Sequence, residues 1–291
     1  MKNILVPVDF SDASFNAVSY AAFLTNAFNA RLTLVHAYTD TSAYDKSAGA
    51  KVYDSQEELE AANEKFLKKE IDGIARKFTV KTEGLVMKGK PVNVIYEVAE
   101  KINPGIIVMG MKGKGESNSR FGSTTTRMIA KTSIPLLIIP KNVSYKTVDT
   151  ITLASDFNDE KLPFNFLILE ELIKKFNPFI EILNVRGEKD PKLTAEVKLL
   201  AVIVAGKMST DLAGDKYNYS FNIIEKDNIE EGINKFIKKH PTDLLIMVAR
   251  KRNFINKVFE PSHSKKMTGL TKIPLLILHE ESVLVSEDEM A

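Results

Sequence analysis

The sequence predicts an α/β fold: two doubly wound, five-stranded parallel-sheet domains packed as a pseudo-dimer. Three observations carry this prediction. Short apolar runs alternate with amphipathic helical segments, the chain has 291 residues, and residues 105–140 are repeated in residues 244–279. The alternation is typical of a parallel sheet with helices on both faces. The length suits two domains of average size, and the repeat indicates that they are two copies of one fold.

The repeat aligns without a gap at a shift of 139 residues, and SIPLLI at residues 133–138 falls on KIPLLI at residues 272–277. Ser123 falls on Ser262. The glycines of the first copy meet other residues in the second: Gly110 falls on Ala249, Gly113 on Arg252 and Gly122 on Pro261. We therefore expect a glycine-rich loop in the first copy alone.

In the first copy, apolar runs predict parallel strands at residues 3–8, 31–37, 80–87, 106–109 and 136–139. The first helix follows a cap at Ser11 or Asp12. The second covers residues 56–78, the third begins at Pro91, where a missing N–H is harmless, and the fourth covers residues 124–132. Residues 39–55 are polar and small, which indicates a flexible loop.

Helical spacing places an apolar stripe on the inner face of the first three helices. The stripes are Ala17, Tyr20, Ala21 and Leu24; Leu59, Phe66, Ile71 and Ile74; and Val94, Ile95, Val98 and Ile102. In the second copy, strands are predicted at residues 150–154, 179–184, 218–224, 244–248 and 275–278, and helices at 160–176, 192–212, 229–240 and 262–271.

The predicted domains are residues 1–141 and 148–280, joined by a short polar linker at residues 141–147 and followed by an acidic tail at residues 281–291. The fifth strands of the two copies are expected to pair antiparallel, because an edge strand otherwise needs cover. The chain would then form an intrachain pseudo-dimer, and a further homodimer stays open.

Composition excludes several classes of function. The net charge of +2 argues against nucleic acid or a membrane surface as a partner. The absence of cysteine rules out disulfides, thiolate metal sites and thiol chemistry. No apolar run approaches the ~20 residues that span a bilayer, and the N-terminus reads as a strand rather than a signal peptide. A cytoplasmic protein is expected.

Ligands of open parallel sheets bind beyond the carboxyl ends of the strands, where the strand order reverses. Asp9, residues 35–37 and residues 110–123 should meet there. Gly122, Ser123 and Thr124 begin a helix, so free N–H groups and the helix dipole favour an anion. Positive charge comes from Lys112, Lys114 and Arg120. Asp9 is also a candidate ligand for a divalent ion beside phosphates.

These residues alone leave two interpretations open: a nucleotide site, or a glycine-rich turn before a capped helix. The loop lacks the Gly-Lys-Ser/Thr triplet of a Walker A motif, and it follows the fourth strand rather than the first, unlike the dinucleotide fingerprint. His36 has no nucleophilic partner in its sequence context, so we expect a packed, hydrogen-bonded histidine. The sequence shows no base–nucleophile pair of the kind that a fast reaction would require.

The opening ILVPVDFSDASFNAVSYA, the strand LTLVHA and the Gly-x2-Gly…Gly-Ser loop before SIPLLIIP resemble the universal stress protein family in its tandem form. The resemblance covers nearly the whole chain. It implies an adenine nucleotide alpha hydrolase-like fold and a role in stress response or signalling. The loop of ATP-binding members reads Gly-x2-Gly-x9-Gly-Ser/Thr. Here eight residues separate Gly113 from Gly122, one fewer than in that pattern.

The resemblance implies ATP, or AMP or ADP, with Mg²⁺ as a possible companion, in one working site in the first copy. It places Asp9 at the nucleoside with Pro7 nearby, and the backbone at Val35 against the adenine. Gly110 and Gly113 would lie along the ribose and the α-phosphate. The residues that would hold the outer phosphates are Gly122, Ser123 and Thr124.

In the second copy, Asp156 matches Asp9, but bulky side chains at residues 250–257 and Pro261 replace the glycine cradle. A structural copy without nucleotide is expected; the alternative is a different anion or a partner at Arg250, Lys251, Arg252 and Phe254. Two rival functions stay open for the whole chain. One is a scaffold with no nucleotide, which the shortened loop favours, and the other is a slow ATPase or a nucleotide-dependent transferase. Adenine nucleotide and an unidentified protein are the expected partners.

Overall fold

A computed structural model describes residues 1–39, 55–112, 121–154, 167–186, 218–226, 228–249 and 272–279. These residues form ten strands that join in one sheet. In chain order the strands are β1 Asn3–Val8, β2 Arg31–Tyr38, β3 Lys81–Lys88, β4 Ile106–Gly110, β5 Leu136–Ile139, β6 Thr150–Ala154, β7 Phe179–Arg186, β8 Tyr219–Glu225, β9 Leu244–Ala249 and β10 Leu275–His279.

The strand order across the sheet is β3-β2-β1-β4-β5-β10-β9-β6-β7-β8. Neighbours within β1–β5 and within β6–β10 run parallel. β5 and β10 pair antiparallel, with Leu137 opposite Leu276, so the predicted pairing of the fifth strands is confirmed. In each half the chain reverses direction across the sheet at its first strand, β1 or β6.

The helices of the described residues lie on both faces of the sheet. They are α1 Asp12–Phe28, α2 Gln56–Ala75, α3 Pro91–Ile102, α4 Ser123–Lys131, α5 Leu167–Phe176 and α6 Ile229–Ile237. Alternate residues of β1 face opposite sides of the sheet. Ile4 and Val6 belong to the core cluster that includes residues of α1, α2 and α5, whereas Leu5 belongs to the cluster that includes residues of α3, α4 and α6. This is the doubly wound arrangement that the sequence predicts.

The predicted strands agree with the structure to within two residues at either end. α2 is shorter than predicted, because the N–H groups of both Lys77 and Phe78 bond to the carbonyl of Ile74 and close the helix after Ala75. The predicted helices at residues 192–212 and 262–271, most of the loop at 39–55 and the tail at 281–291 lie outside the described residues. The part of the predicted helix at 160–176 that precedes Leu167 also lies outside the described residues.

One predicted inner position of α2 is wrong. Phe66 is 52% exposed and lies 5.7 Å, ring to ring, from Phe10. Its neighbour Leu67 occupies the core instead, because the buried stripe of α2 runs through Leu59, Asn63, Leu67, Glu70 and Ile74. A shift of one position turns a helical side chain by about 100°, which moves Phe66 to the solvent side.

The link between the halves lies against α1. The Asn16 amide donates to the carbonyls of Pro140 and Val143, both at 2.8 Å. The Tyr145 ring stacks on Phe23 with centroids 5.4 Å apart. Phe23 also lies 6.2 Å from Phe176 of α5. The linker is therefore held in place at several points, although the division into domains at residues 141 and 148 stays a prediction.

Among the described helices, none combines the length and the apolar composition that crossing a membrane requires.

Candidate functional site

A cavity of about 320 Å³ opens beyond the carboxyl ends of β1, β2 and β4. It lies where the strand order reverses between β1 and β4, as expected for ligands of a doubly wound sheet. Its volume is within the range of about 300–1,000 Å³ typical of small-molecule sites. The structure brings these predicted site residues together in its lining: Pro7, Asp9, Val35, Gly110, Gly122, Ser123 and Thr124. Gly113 lies outside the described residues.

One side of the cavity is apolar. Val35 and Ala37 contribute from β2, Val94 and Ile95 from α3, and Met109 from β4. Ile95 and Val35 are each 1% exposed, so these side chains are held by the core behind them. A flat aromatic ring is the kind of ligand group that such a wall accepts.

Another part of the lining carries hydroxyl groups and the beginning of α4. Ser123, Thr124 and Thr125 line the cavity together with Lys112. The N-cap of α4 is Gly122, which has no side chain to accept from the first N–H groups of the helix. Because uncapped N–H groups and the positive end of the helix dipole attract anions, this side favours a negatively charged group.

Asp9 is fixed by the cap of α1. Its Oδ1 accepts from the Ser11 N–H at 3.1 Å and from the Ser11 hydroxyl at 2.6 Å. Ser11 Oγ in turn accepts from the Ser14 N–H at 3.2 Å, so Ser11 rather than Asp12 is the N-cap. Asp12 pairs instead with Lys141 at 2.9 Å.

The donor set around Asp9 fits a magnesium ion only when the ligand supplies most of the oxygens. Among the described residues, no group of three His, Asp or Glu side chains lies close enough to hold a metal ion. Mg²⁺ is commonly bound through one or two carboxylates together with substrate phosphates. Asp9 is the carboxylate of the cavity lining that is available for that role.

Gly110 is required by packing. A Cβ placed there would lie 2.8 Å from the carbonyl oxygen of Ala13 and 2.9 Å from its carbonyl carbon. The end of β4 thus touches the first turn of α1 directly. The Thr125 hydroxyl donates to the Gly110 carbonyl at 3.1 Å, which ties the beginning of α4 to the same point. Glycine here serves close approach of two backbones, a reason that the loop pattern did not reveal.

His36 is packed and hydrogen-bonded, as the sequence predicts. Its Nδ1 lies 2.8 Å from the Val8 carbonyl oxygen, and its ring centroid lies 4.3 Å from that of Phe10. Because a carbonyl only accepts, Nδ1 carries the proton in this contact.

Glu70 is a carboxylate on the buried stripe of α2 that the sequence pattern did not single out. Glu70 is 6% exposed, and neither carboxylate oxygen has a hydrogen-bond partner among the described residues. Burial raises the pKa of this carboxyl to about 7, and the negative charge of Asp9 adds to the shift. The helical phase of residues 59, 63, 67, 70 and 74 was the signal that places Glu70 inside.

In the second half, Asp156, residues 250–257 and Pro261 lie outside the described residues. Glu181, in contrast to Glu70, is a buried carboxylate with partners. It accepts from the Asn222 amide at 2.8 Å and from the Ser220 hydroxyl. His240 Nδ1 lies 3.4 Å from its other oxygen. This group lies at the amino ends of β7 and β8, on the side of the strands away from their ligand-binding ends.

A family model described as the universal stress protein family matches residues 1–140. A universal stress protein of Thermus aquaticus is 30% identical over 139 residues, which make up 47% of this chain and 98% of the relative. One of Methanocaldococcus jannaschii is 29% identical over 141 residues, 48% of this chain and 82% of the relative. The crystal structure of a universal stress protein from Archaeoglobus fulgidus has the same fold, with a TM-score of 0.67 over 95% of this chain and 98% of its own at 16% identity.

Proposed function

The chain belongs to the universal stress protein family, and on this basis we propose that its first half binds an adenine nucleotide: ATP, ADP or AMP. The nucleotide would occupy the cavity between β1 and β4. The second half would be a structural copy that binds no nucleotide. We further propose that the nucleotide state is passed to a protein partner in stress response or signalling, and that catalysis is at most a slow hydrolysis of ATP.

The observation that carries the proposal is the division of the cavity into two sides. Val35, Ala37, Val94 and Ile95 offer an apolar wall for a base. The uncapped beginning of α4 offers N–H groups and a dipole for phosphate. A nucleotide joins an aromatic base to phosphates across a ribose, so its two ends match the two sides.

Asp9 is proposed to hold Mg²⁺ next to the phosphates, with the remaining ligands supplied by phosphate oxygens and water. A bound magnesium ion would neutralise part of the phosphate charge. Ser11 keeps one oxygen of Asp9 in place through two hydrogen bonds, which orients the carboxylate before the ligand arrives.

The route to the second half that we propose is α1. Its first turn lines the cavity through Ser14, and its last turns contact α5 through Phe23 and Phe28, whose rings lie 6.2 Å and 5.8 Å from that of Phe176. The Met1 amino group also pairs with Glu171 of α5. A ligand that changes the position of α1 would therefore change a surface formed by both halves.

The test is the nucleotide content of the freshly purified protein. The protein is denatured, the supernatant is separated by ion-exchange chromatography, and ATP with magnesium is then titrated by calorimetry. We expect about one adenine nucleotide per chain, since one site is proposed. Gly122→Val should abolish binding, because a branched side chain at the N-cap would obstruct the approach of phosphate to the backbone.

Gly105→Ala is the matched control. It lies before β4, away from the cavity lining, and a Cβ there meets its nearest atom, Met1 Cγ, at 3.4 Å, an ordinary contact. It should bind as the wild type does. Absence of nucleotide and of heat on titration would contradict the proposal and favour the scaffold function. Phosphate release above the buffer rate that is lost in Asp9→Ala, with binding retained, would establish the slow ATPase.

A further inference from the structure

Ser14 is a residue of the cavity lining to which the sequence pattern gives no role. It is the third residue of α1, it lines the cavity, and it is 5% exposed. Its backbone N–H is already used, because it donates to Ser11 Oγ at 3.2 Å. Capping therefore accounts for its main chain and leaves its side chain unexplained.

The Ser14 hydroxyl differs from the other serine and threonine hydroxyls of α1. Ser19 donates to the Phe15 carbonyl at 3.0 Å and Thr25 to the Ala21 carbonyl at 2.7 Å, the usual contact of these residues within a helix. Ser14 Oγ is buried and has no hydrogen-bond partner among the described residues. A buried hydroxyl without a partner destabilises the folded state, so such a group in a cavity wall calls for a partner from outside the protein.

The neighbourhood of Ser14 indicates which part of a ligand would meet it. Ala13, the preceding residue, is in contact with the end of β4 at Gly110. The Gly110 carbonyl accepts from Thr125 in the first turn of α4. The first turns of α1 and α4 thus meet at one residue. Both present their positive dipole ends there, in the same cavity that Val94 and Ile95 line with apolar side chains.

We propose that the Ser14 hydroxyl donates a hydrogen bond to a phosphate oxygen of the bound ligand and so extends the anion site from the beginning of α4 to the beginning of α1. The inference rests on the proposed function, since it names one more residue of the same site. A serine hydroxyl suits the role because it turns freely about its C–O bond and donates to a charged oxygen, which gives a strong hydrogen bond.

The experiment compares Ser14→Ala with Ser19→Ala, which removes a partnered hydroxyl from the exposed side of the same helix. ATP, ADP, AMP and adenosine are titrated into each variant. Ser14→Ala should bind ATP about ten-fold more weakly than the wild type, the usual loss for one hydrogen bond to a charged group. Its affinity for adenosine, and every affinity of Ser19→Ala, should be unchanged.

A merely structural serine would behave differently. Ligand-free Ser14→Ala should melt at the same temperature as the wild type or higher, because alanine removes an unpartnered polar group. A lower melting temperature, an unchanged affinity for ATP, or an equal loss for adenosine would overturn the inference.

Inorganic tripolyphosphate separates this inference from the proposed function. If the wild type binds tripolyphosphate but none of the adenine compounds, the proposed function fails, and a ten-fold loss in Ser14→Ala still supports the phosphate contact. If the wild type binds neither, both proposals fail.

Discussion

The two halves of the sheet share a strand order but differ in what surrounds their reversal points. In the first half, α3 lines the cavity with Pro91, Val94 and Ile95. At the same positions of the repeat, α6 carries Glu230, Ile233 and Asn234. Glu230 is 2% and Asn234 7% exposed, so the second half buries polar groups where the first presents an apolar wall. The strand framework thus tolerates opposite chemistry at this position, and ligand choice is decided by the residues that surround it.

The largest effect is expected from exchanging these walls. Ile95→Asn places a second-half residue in the first half, where Ile95 is 1% exposed. It should lower the free energy of unfolding by about 3–5 kcal/mol, through lost packing and the burial of an amide, and should abolish nucleotide binding. Urea denaturation and ATP titration measure the two effects.

The reverse change, Asn234→Ile, is the matched control. The Asn234 amide donates to the Glu230 carbonyl at 2.9 Å, but its oxygen has no partner among the described residues. The substitution removes one hydrogen-bonded amide N–H group and one amide oxygen without a partner, so it should change the free energy of unfolding by less than about 1 kcal/mol. Equal costs for the two exchanges would show that the walls do not differ in the way described.

The next effect concerns the glycine that the second half replaces with Ala249. Gly110→Ala forces a Cβ against the backbone of Ala13. We expect a loss of about 1–3 kcal/mol in the free energy of unfolding, typical of overpacking, together with weaker ATP binding because the first turns of α1 and α4 separate. Thermal and urea unfolding check the stability.

Gly105→Ala provides the comparison, since its Cβ would have ordinary contacts, and it should lie within about 0.5 kcal/mol of the wild type. A Gly110→Ala variant as stable as Gly105→Ala would remove the packing explanation for this glycine.

The third effect compares the buried carboxylates of the two halves. The pKa of Glu70 is raised to about 7, first by burial and then by Asp9. Its folded pKa lies above the unfolded value, so the folded state binds the proton more tightly. The resulting stabilisation is complete below about pH 4.5 and is lost as the pH rises through about 7. Glu70→Gln should be more stable than the wild type at pH 8, by about 1–3 kcal/mol, with a smaller difference at pH 5.

Glu181→Gln is the counterpart in the second half. Glu181 accepts from Asn222 and Ser220 through one oxygen, and an amide oxygen could still accept both hydrogen bonds but would form weaker ones than a carboxylate does. It should lower the free energy of unfolding at pH 8 by about 1 kcal/mol. Chemical denaturation at pH 5 and pH 8 tests both variants, and a destabilising Glu70→Gln at pH 8 would contradict the description of Glu70 as a carboxylate without a partner.

Most of the fold could be predicted because the central strands, among them β1, β4 and β5, are buried on both faces. Runs such as residues 4–8 and 136–139 are apolar throughout, which fixed the positions of these strands closely. The antiparallel pairing of β5 and β10 was predicted because the edge strand of each copy needs cover. The prediction that Phe66 lies on the inner face of α2 was wrong, because helical spacing alone does not decide between adjacent apolar residues. Leu67 next to it occupies the core position.

The site residues could be predicted where they stand at the end of a strand or at the beginning of a helix. Asp9 and Gly122 stand at the end of a strand and the beginning of a helix, and the parallel sheet places such positions at one edge. Helical phase could have placed Glu70 inside, but neither its lack of a hydrogen-bond partner nor that of Ser14 can be identified from the sequence. Whether a polar atom lacks a partner depends on residues far away in sequence, so only the structure reveals it.

The seam between β5 and β10 has a consequence for how the chain behaves in solution. Residues of both strands are almost fully buried, among them Leu136, Ile138, Leu275 and Leu276. Separated from its partner, either half would end in an exposed apolar edge strand. The unpaired backbone N–H and C=O groups of that strand could pair with an exposed strand of another molecule. Joining the halves in one polypeptide keeps the correct partner at a local concentration in the millimolar range. The pairing of β5 with β10 of the same chain therefore does not depend on the protein concentration, and it forms before strands of other copies can compete.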